Sequence, residues 1–184
     1  MLEMFKFFSF FLFTFVSSYI IYSFSSYDSF SYSFNSLDYV SDGNKVENVV
    51  TSKENPIMHL SIPKIKVEND VYSKDSISNN IDKNVQIMGE SDMPDDEWGN
   101  VILGGHSGTG RFAYFKDFSL LDIGDKIVIL YNGKKYSYSI INIYSDDKDG
   151  KIVIRRDISK NYLTLFTCNP QDKGSYLVVV SELL

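Results

Sequence analysis

The chain of 184 residues carries 18 Lys and Arg against 24 Asp and Glu, a formal charge of −6, with one Cys and two His. That balance excludes a general nucleic-acid binder, which needs a basic face. A single thiol excludes an intramolecular disulfide framework and a Cys-rich zinc site, and a hydrophobic fraction of 43% excludes a disordered chain.

The first 24 residues contain eight Phe, and no charged side chain occurs over the 21 positions from Phe7 to Tyr27. At about 1.5 Å per residue a helix of that length matches a hydrocarbon core of roughly 30 Å. No Ala-x-Ala-like site follows it, so residues 1–27 are expected to form an uncleaved transmembrane signal anchor in preference to a cleaved secretory peptide. Lys6 precedes the span, while Asp28, Asp38 and Asp42 follow it before Lys45. This asymmetry puts the N-terminus inside and the remainder outside the cell membrane. Residues 28–55 are Ser-rich without a sustained period and read as a linker, the other reading being an extra helix packed on the domain.

Residues 56–184 form the expected globular domain, with the punctuation of a β protein. Ile57–Ile62 is a strand ended by Pro63, and Lys64–Val67 with Val71–Tyr72 suggests a second. Ile77 and Ile81, four apart in a polar stretch, predict a short helix over 75–82. Val85–Met88 and Val101–Leu103 are short apolar runs, and Ala113–Leu121 suits a helical turn or two. Lys126–Tyr131, the pair Asn132-Gly133 and Lys134–Tyr144 read as a hairpin with a type I′ turn. Tyr162–Thr167 and Tyr176–Ser181 are the last strands. Seven or eight short strands with little helix predict a closed barrel or a sandwich.

Two residues stand out chemically. Cys168 ends an apolar strand directly before Asn169-Pro170. A Cys is by default a small buried hydrophobe, but a strand end followed by a loop is where sites collect. His106 lies among Gly104, Gly105 and Gly108, just after an apolar run, and the glycines let the backbone turn sharply there. A thiol and an imidazole, each leaving a strand end, are the minimum for thiolate attack on a carbonyl. His59, inside the first strand, reads as structural.

Thr164-Leu-Phe-Thr-Cys168 resembles the Thr-Leu-x-Thr-Cys motif of the sortases. Gly105-His106 resembles the histidine segment of that family, Leu60–Ile65 its opening strand, and Asp122–Asp125 with the strand and Asn-Gly-Lys after it the central hairpin. The resemblance covers residues 57–184. It implies a mostly β fold, a closed eight-stranded barrel with one or two short helices. It also implies a cysteine transpeptidase that cleaves a Leu-Pro-x-Thr-Gly-like sorting signal of exported proteins in Gram-positive bacteria. The acyl group then passes to an amine of a cell-wall precursor or a pilin. Cys168 would be the nucleophile and His106 the general acid/base, in a monomer that needs no cofactor and meets the membrane through residues 7–27. The alternative is a binding module on the same barrel that holds sorting peptides or cell-wall material with little or no turnover.

The sequence departs from the family at one point. Sortases usually carry an Arg at the start of the last strand; here Gly174-Ser175-Tyr176 precedes the run Leu177–Val180. The candidates for orienting substrate or meeting the oxyanion are Arg156 and Arg155, in the connection before the Cys strand, then Lys173 and Tyr176. Arg111 and the arginine pair can equally be solvated surface charge. That connection is short, and neither an Asp-Pro-aromatic lid nor a hydrophobic C-terminal tail is found. The chain therefore resembles the housekeeping or sporulation types more than the pilin-polymerising one. Asp92, Asp95, Asp96 and Glu97, with Asp147 in a later acidic stretch, are possible calcium ligands, an acidic solvated loop being the other reading.

Overall fold

The computed structural model describes residues 27–33, 54–149 and 151–184. The expected membrane anchor, apart from its last residue Tyr27, and most of the linker lie outside these. Among the described residues no helix is long and apolar enough to cross a membrane. Starting on the last residue of the expected anchor and running into the stretch read as linker, Tyr27–Ser33 is a strand, β1, which the sequence did not suggest.

The remaining strands are β2 Met58–Ile62, β3 Val67–Val71, β4 Gln86–Ile87, β5 Asn100–Gly104, β6 Lys126–Tyr131, β7 Lys134–Asp147, β8 Lys151–Asp157, β9 Tyr162–Cys168 and β10 Ser175–Leu183. Eight of them form one sheet in the order β3-β2-β6-β7-β10-β9-β5-β4, while β1 pairs antiparallel with β8. The eight-stranded ladder curls into a barrel that is nearly closed, with β3 and β4 left as its two ends; among the described residues no ladder joins them. The hairpin prediction holds in detail: Tyr131 pairs with Lys134, and Asn132 and Gly133 both have positive φ, 49° and 72°, as a type I′ turn requires.

Helix is confined, among the described residues, to two 3-10 turns, Pro63–Ile65 and Phe118–Leu120. The helix expected over 75–82 is replaced by turns. Ser76 Oγ accepts from the Ser78 N–H, Asn80 Oδ1 from the Asp82 N–H, and the Asn79 amide pairs with both backbone groups of Ile87. Short polar side chains that bond the backbone in this way compete directly with helix. Ile77 stays 75% exposed, so the expected apolar face does not exist.

Alternation assigns each strand residue to one of two cores. Leu60, Ile62, Val101, Leu103, Ile127, Ile129, Tyr138, Ile140, Leu163, Leu165 and Val179 fill the barrel. Ile102, Tyr162, Phe166, Val178 and Val180, from the opposite faces of β5, β9 and β10, pack with Ile152 and Ile154 of β8. Strand β8 therefore lies over the outer face of the barrel. This explains why β5 and β9 are buried on both faces and read as continuous apolar runs. By sequence, β8 falls inside the short connection before the Cys strand, where no strand is expected.

Candidate active site

Strands β5 and β9 are neighbours and run parallel, Asn100 opposite Tyr162 and Gly104 opposite Phe166. Both therefore end at the same rim. The offset of 62 positions in that register is also the separation of His106 from Cys168. The two loops are tied just beyond the ladder. The Gly105 N–H donates to the Phe166 carbonyl at 3.2 Å, Thr167 Oγ1 donates to the Gly105 carbonyl at 2.6 Å, and Ser107 Oγ donates to the Cys168 carbonyl. Parallel pairing thus brings the two sequence-predicted residues to adjacent strand ends.

Cys168 shares its face of β9 with Tyr162, Thr164 and Phe166, the face covered by β8. Residues 162–167 are buried and Cys168 is exposed. The thiol stands at the open end of the outer apolar strip.

The glycines before His106 serve a purpose other than the one the sequence suggested. Neither Gly104 nor Gly105 has positive φ. A Cβ on Gly104 would sit 2.9 Å from Phe166 Cζ, and one on Gly105 would sit 2.8 Å from Phe115 Cδ2. They are required for close approach. The Phe115 N–H then bonds the His106 carbonyl at 2.9 Å, which fixes the backbone that carries the imidazole.

His106 Nε2 lies 3.2 Å from Asp82 Oδ1, with 44% of the imidazole side chain and 78% of the carboxylate side chain exposed. Protonated at Nε2, the ring donates to Asp82, an orienting contact of the kind that positions a general acid/base. Asp82 belongs to the polar turns that replaced the expected helix. Nothing in the sequence linked it to a His 24 positions later.

On the other side of Cys168 the ladder between β9 and β10 pairs it with Tyr176. Residues directly opposite in an antiparallel pair point to the same face, with Cβ atoms about 4.5–5.5 Å apart. The Tyr176 ring meets Phe166 edge-on, centroids 5.9 Å apart at 81°. Lys148 Nζ lies 5.3 Å from its centroid. Burial pushes the Tyr176 phenol above its ordinary range, the Cys168 charge adds to this, and the Lys148 charge opposes it. Lys148 donates from Nζ to the Lys173 carbonyl and from its backbone N–H to the Gly174 carbonyl, both at 2.9 Å. Sequence reasoning missed Lys148 because it is embedded in an acidic run, Asp146-Asp147-Lys148-Asp149. Lys173 contributes its carbonyl to this corner, and the residue itself is exposed.

The arginine candidates do not gather here. Arg156 donates through its guanidinium to the Trp98 carbonyl, and the Trp98 N–H bonds Asn161 Oδ1. Both partners flank the starts of β5 and β9, the end of these strands opposite to Cys168. Strand β8 leads into β9 by a short turn, so the fold-back needed to bring Arg156 to the thiol is not made. Arg155 pairs in the ladder with Ser29 of β1, and its side chain lies outside the described set. Arg111 stacks over Phe112 at 5.3 Å.

The acidic residues are also dispersed. Asp92 Oδ2 accepts from the Asn100 N–H and Asp96 Oδ2 from the Met93 N–H, so these carboxylates cap loop amides. Asp95 and Glu97 are exposed in the same loop. Asp147 pairs with Ser175 near the Cys168 rim, at the far end of the barrel from Asp92. Among the described residues no group of three or more His, Cys, Asp or Glu side chains is placed to hold a metal ion, and the calcium set is not brought together.

Fold and site together define a β-barrel protein with a thiol and an imidazole at one rim. A family model described as Sortase domain matches residues 60–183, and the chain belongs to the sortase family. It is 28% identical to Sortase A of Bacillus anthracis over 76% of this chain and 65% of that protein. It is 30% identical to Sortase D of Bacillus subtilis (strain 168) over 60% of this chain and 53% of that protein. The aligned part thus spans less than two thirds of each of these relatives. The fold is similar to that of a lid mutant of Sortase A from Corynebacterium diphtheriae, with a TM-score of 0.61 at 22% identity, covering 74% of each chain. It is likewise similar to sortase C1 from Streptococcus agalactiae, with a TM-score of 0.61 at 24% identity, covering 73% of this chain and 70% of that one.

Proposed function

We propose that the chain is a cysteine transpeptidase acting on C-terminal sorting signals of exported proteins. The supporting observation is the convergence of Cys168 and His106 at the adjacent ends of parallel β5 and β9, their loops tied by the Ser107–Cys168 hydrogen bond. His106 takes the thiol proton, and the thiolate sulfur bonds to the substrate carbonyl carbon while the C=O pair moves onto oxygen. As that pair returns, the scissile C–N bond breaks and the leaving amine takes the proton from the imidazolium. The acyl group remains on Cys168 as a thioester. An acceptor amine on a cell-wall precursor or a pilin then attacks it, loses its proton to His106 and releases the thiolate. Asp82 holds the ring between these transfers. Residues 7–26 anchor the chain in the cell membrane, with the barrel outside.

A second reading, a sorting-peptide binding module with little turnover, is favoured by one observation: the residue opposite the thiol is Tyr176 and no arginine starts β10. The two readings separate when the full chain in detergent is incubated with Leu-Pro-x-Thr-Gly peptides and amine acceptors and followed by mass spectrometry. Transpeptidation gives an acyl adduct on Cys168 and an amine-transfer product, both lost in Cys168→Ala. Peptides that bind and stay intact support the binding module and overturn the enzyme reading.

A further inference from the structure

Attack by a thiolate on a carbonyl places negative charge on the carbonyl oxygen, and a preorganised donor must meet it. With Arg156 at the opposite end of β9, two of the described residues stand beside the thiol: Tyr176, directly across the ladder, and Lys148, whose ammonium lies over the Tyr176 ring. We propose that Tyr176 donates its phenol O–H to the oxyanion, and that Lys148 is a positioning residue which makes that phenol a stronger donor by seating its charge on the ring face. The proposal rests on acylation of Cys168, and so on the thiolate half of the reading above.

Three features distinguish this corner from ordinary surface packing. First, the register is fixed: Tyr176 opposite Cys168 continues an unbroken ladder that includes Leu177 with Thr167 and Val178 with Phe166. Second, the ring is held from two directions, edge-on by Phe166 and by the ammonium of Lys148. Third, the lysine is itself held: its backbone N–H and its Nζ both donate to the turn before β10, at Gly174 and Lys173. A lysine with the usual freedom of its long stem would not keep its charge on one ring face.

The chemistry is consistent with a neutral donor. Only a protonated phenol has an O–H to give, and burial keeps the Tyr176 phenol protonated beyond its ordinary range. An ammonium against the ring withdraws electron density, which strengthens the O–H as a donor without removing the proton. As the C=O pair moves onto oxygen the phenol hydrogen bond shortens toward it, and it relaxes when the pair returns and the leaving group departs. No proton needs to change hands at Tyr176. Compared with a guanidinium fork, the pair offers one directed donor in place of two parallel ones.

The test separates reactions that form an oxyanion from one that does not. Cys168 is the only thiol in the chain, so two reagents report on the same sulfur. A 4-nitrophenyl ester acylates it through an oxyanion, while iodoacetamide alkylates it at a saturated carbon without one. Rates are measured on the full chain in detergent, with Cys168→Ala subtracted and each variant checked by thermal melting. Tyr176→Phe keeps the ring and the cation contact; it is expected to slow acylation about 10²–10³-fold, the loss typical of one oxyanion donor, with alkylation unchanged. Lys148→Met should slow acylation about tenfold, on the scale of one cation–π contact, and Lys148→Arg should restore it. In the Tyr176→Phe background Lys148→Met should have no further effect, because its influence passes through the phenol. Equal losses in both reactions, no loss in Tyr176→Phe, or additive losses in the double variant overturn the proposal. If these patterns hold while sorting peptides are never cleaved, the substrate reading falls and this one stands. If peptides are cleaved and the patterns fail, the reverse is true. A wild-type thiol that is not acylated overturns both.

Discussion

Gly105→Ala tests whether the histidine loop is set by close packing. The new methyl would lie 2.8, 2.9 and 3.2 Å from three atoms of the Phe115 ring. That ring cannot withdraw easily, since it is fully buried and stacked on Phe118 at a centroid distance of 4.0 Å. Forcing one methyl into a packed core costs about 1–3 kcal/mol. For a domain of this size each kcal/mol lowers Tm by roughly 3–5 °C, so Tm should fall by roughly 3–15 °C. The same strain bears on His106, whose carbonyl is bonded by the Phe115 N–H. Displacing the imidazole by about 1 Å can cost 10²-fold in rate. Thermal melting by circular dichroism and the acylation rate of Cys168, measured well below Tm, are the two readouts. Phe115→Leu in the Gly105→Ala background should recover part of both losses, a coupling expected only of residues in contact. An unchanged Tm, or losses that add without coupling, would refute the packing argument.

Arg156→Met should leave Cys168 acylation unchanged, because its guanidinium serves the Trp98 carbonyl at the far end of β9; stability should fall by about 1 kcal/mol for the lost hydrogen bond, read by urea denaturation. Gly133→Ala places a side chain at φ 72° in the type I′ turn and should cost about 1–2 kcal/mol by the same assay, again without effect on acylation. His59 is held as an imidazolium chiefly by its hydrogen bond to Asp70, with burial opposing and Glu68 assisting, so its pKa is raised in the folded state. Its contribution is complete below the unfolded value of about 6.5 and is lost as pH rises through the higher folded value. With 41% of the imidazole side chain and 58% and 52% of its partners' side chains exposed, the loss should be only about 0.2–1 kcal/mol. His59→Gln should abolish it, and a pH dependence that survives this change would assign it elsewhere.

What the sequence determined by itself was local. The Asn132-Gly133 turn, the alternation along β6 and β7, and the apolar runs of β5 and β9 depend on neighbouring residues and were legible as such. So were Cys168 and His106, each marked by the end of its own strand. The helix misread over 75–82 was also a local matter, decided by Ser76, Asn79 and Asn80 bonding backbone groups where two isoleucines suggested an apolar stripe. The pairing that makes a site was decided only by the tertiary structure. Parallel strands joined by a long connection carry no sequence signal of their register, so the alignment of 106 with 168 had to come from the sheet. The same holds for Asp82 beside His106, Tyr176 opposite Cys168, and Lys148 over that ring. It also holds for Arg156, placed by the short β8–β9 turn at the wrong end of the strand. Each of these depends on where a strand of another part of the chain comes to lie, and burial of the two apolar faces of β9, one inward and one under β8, is what fixes that position.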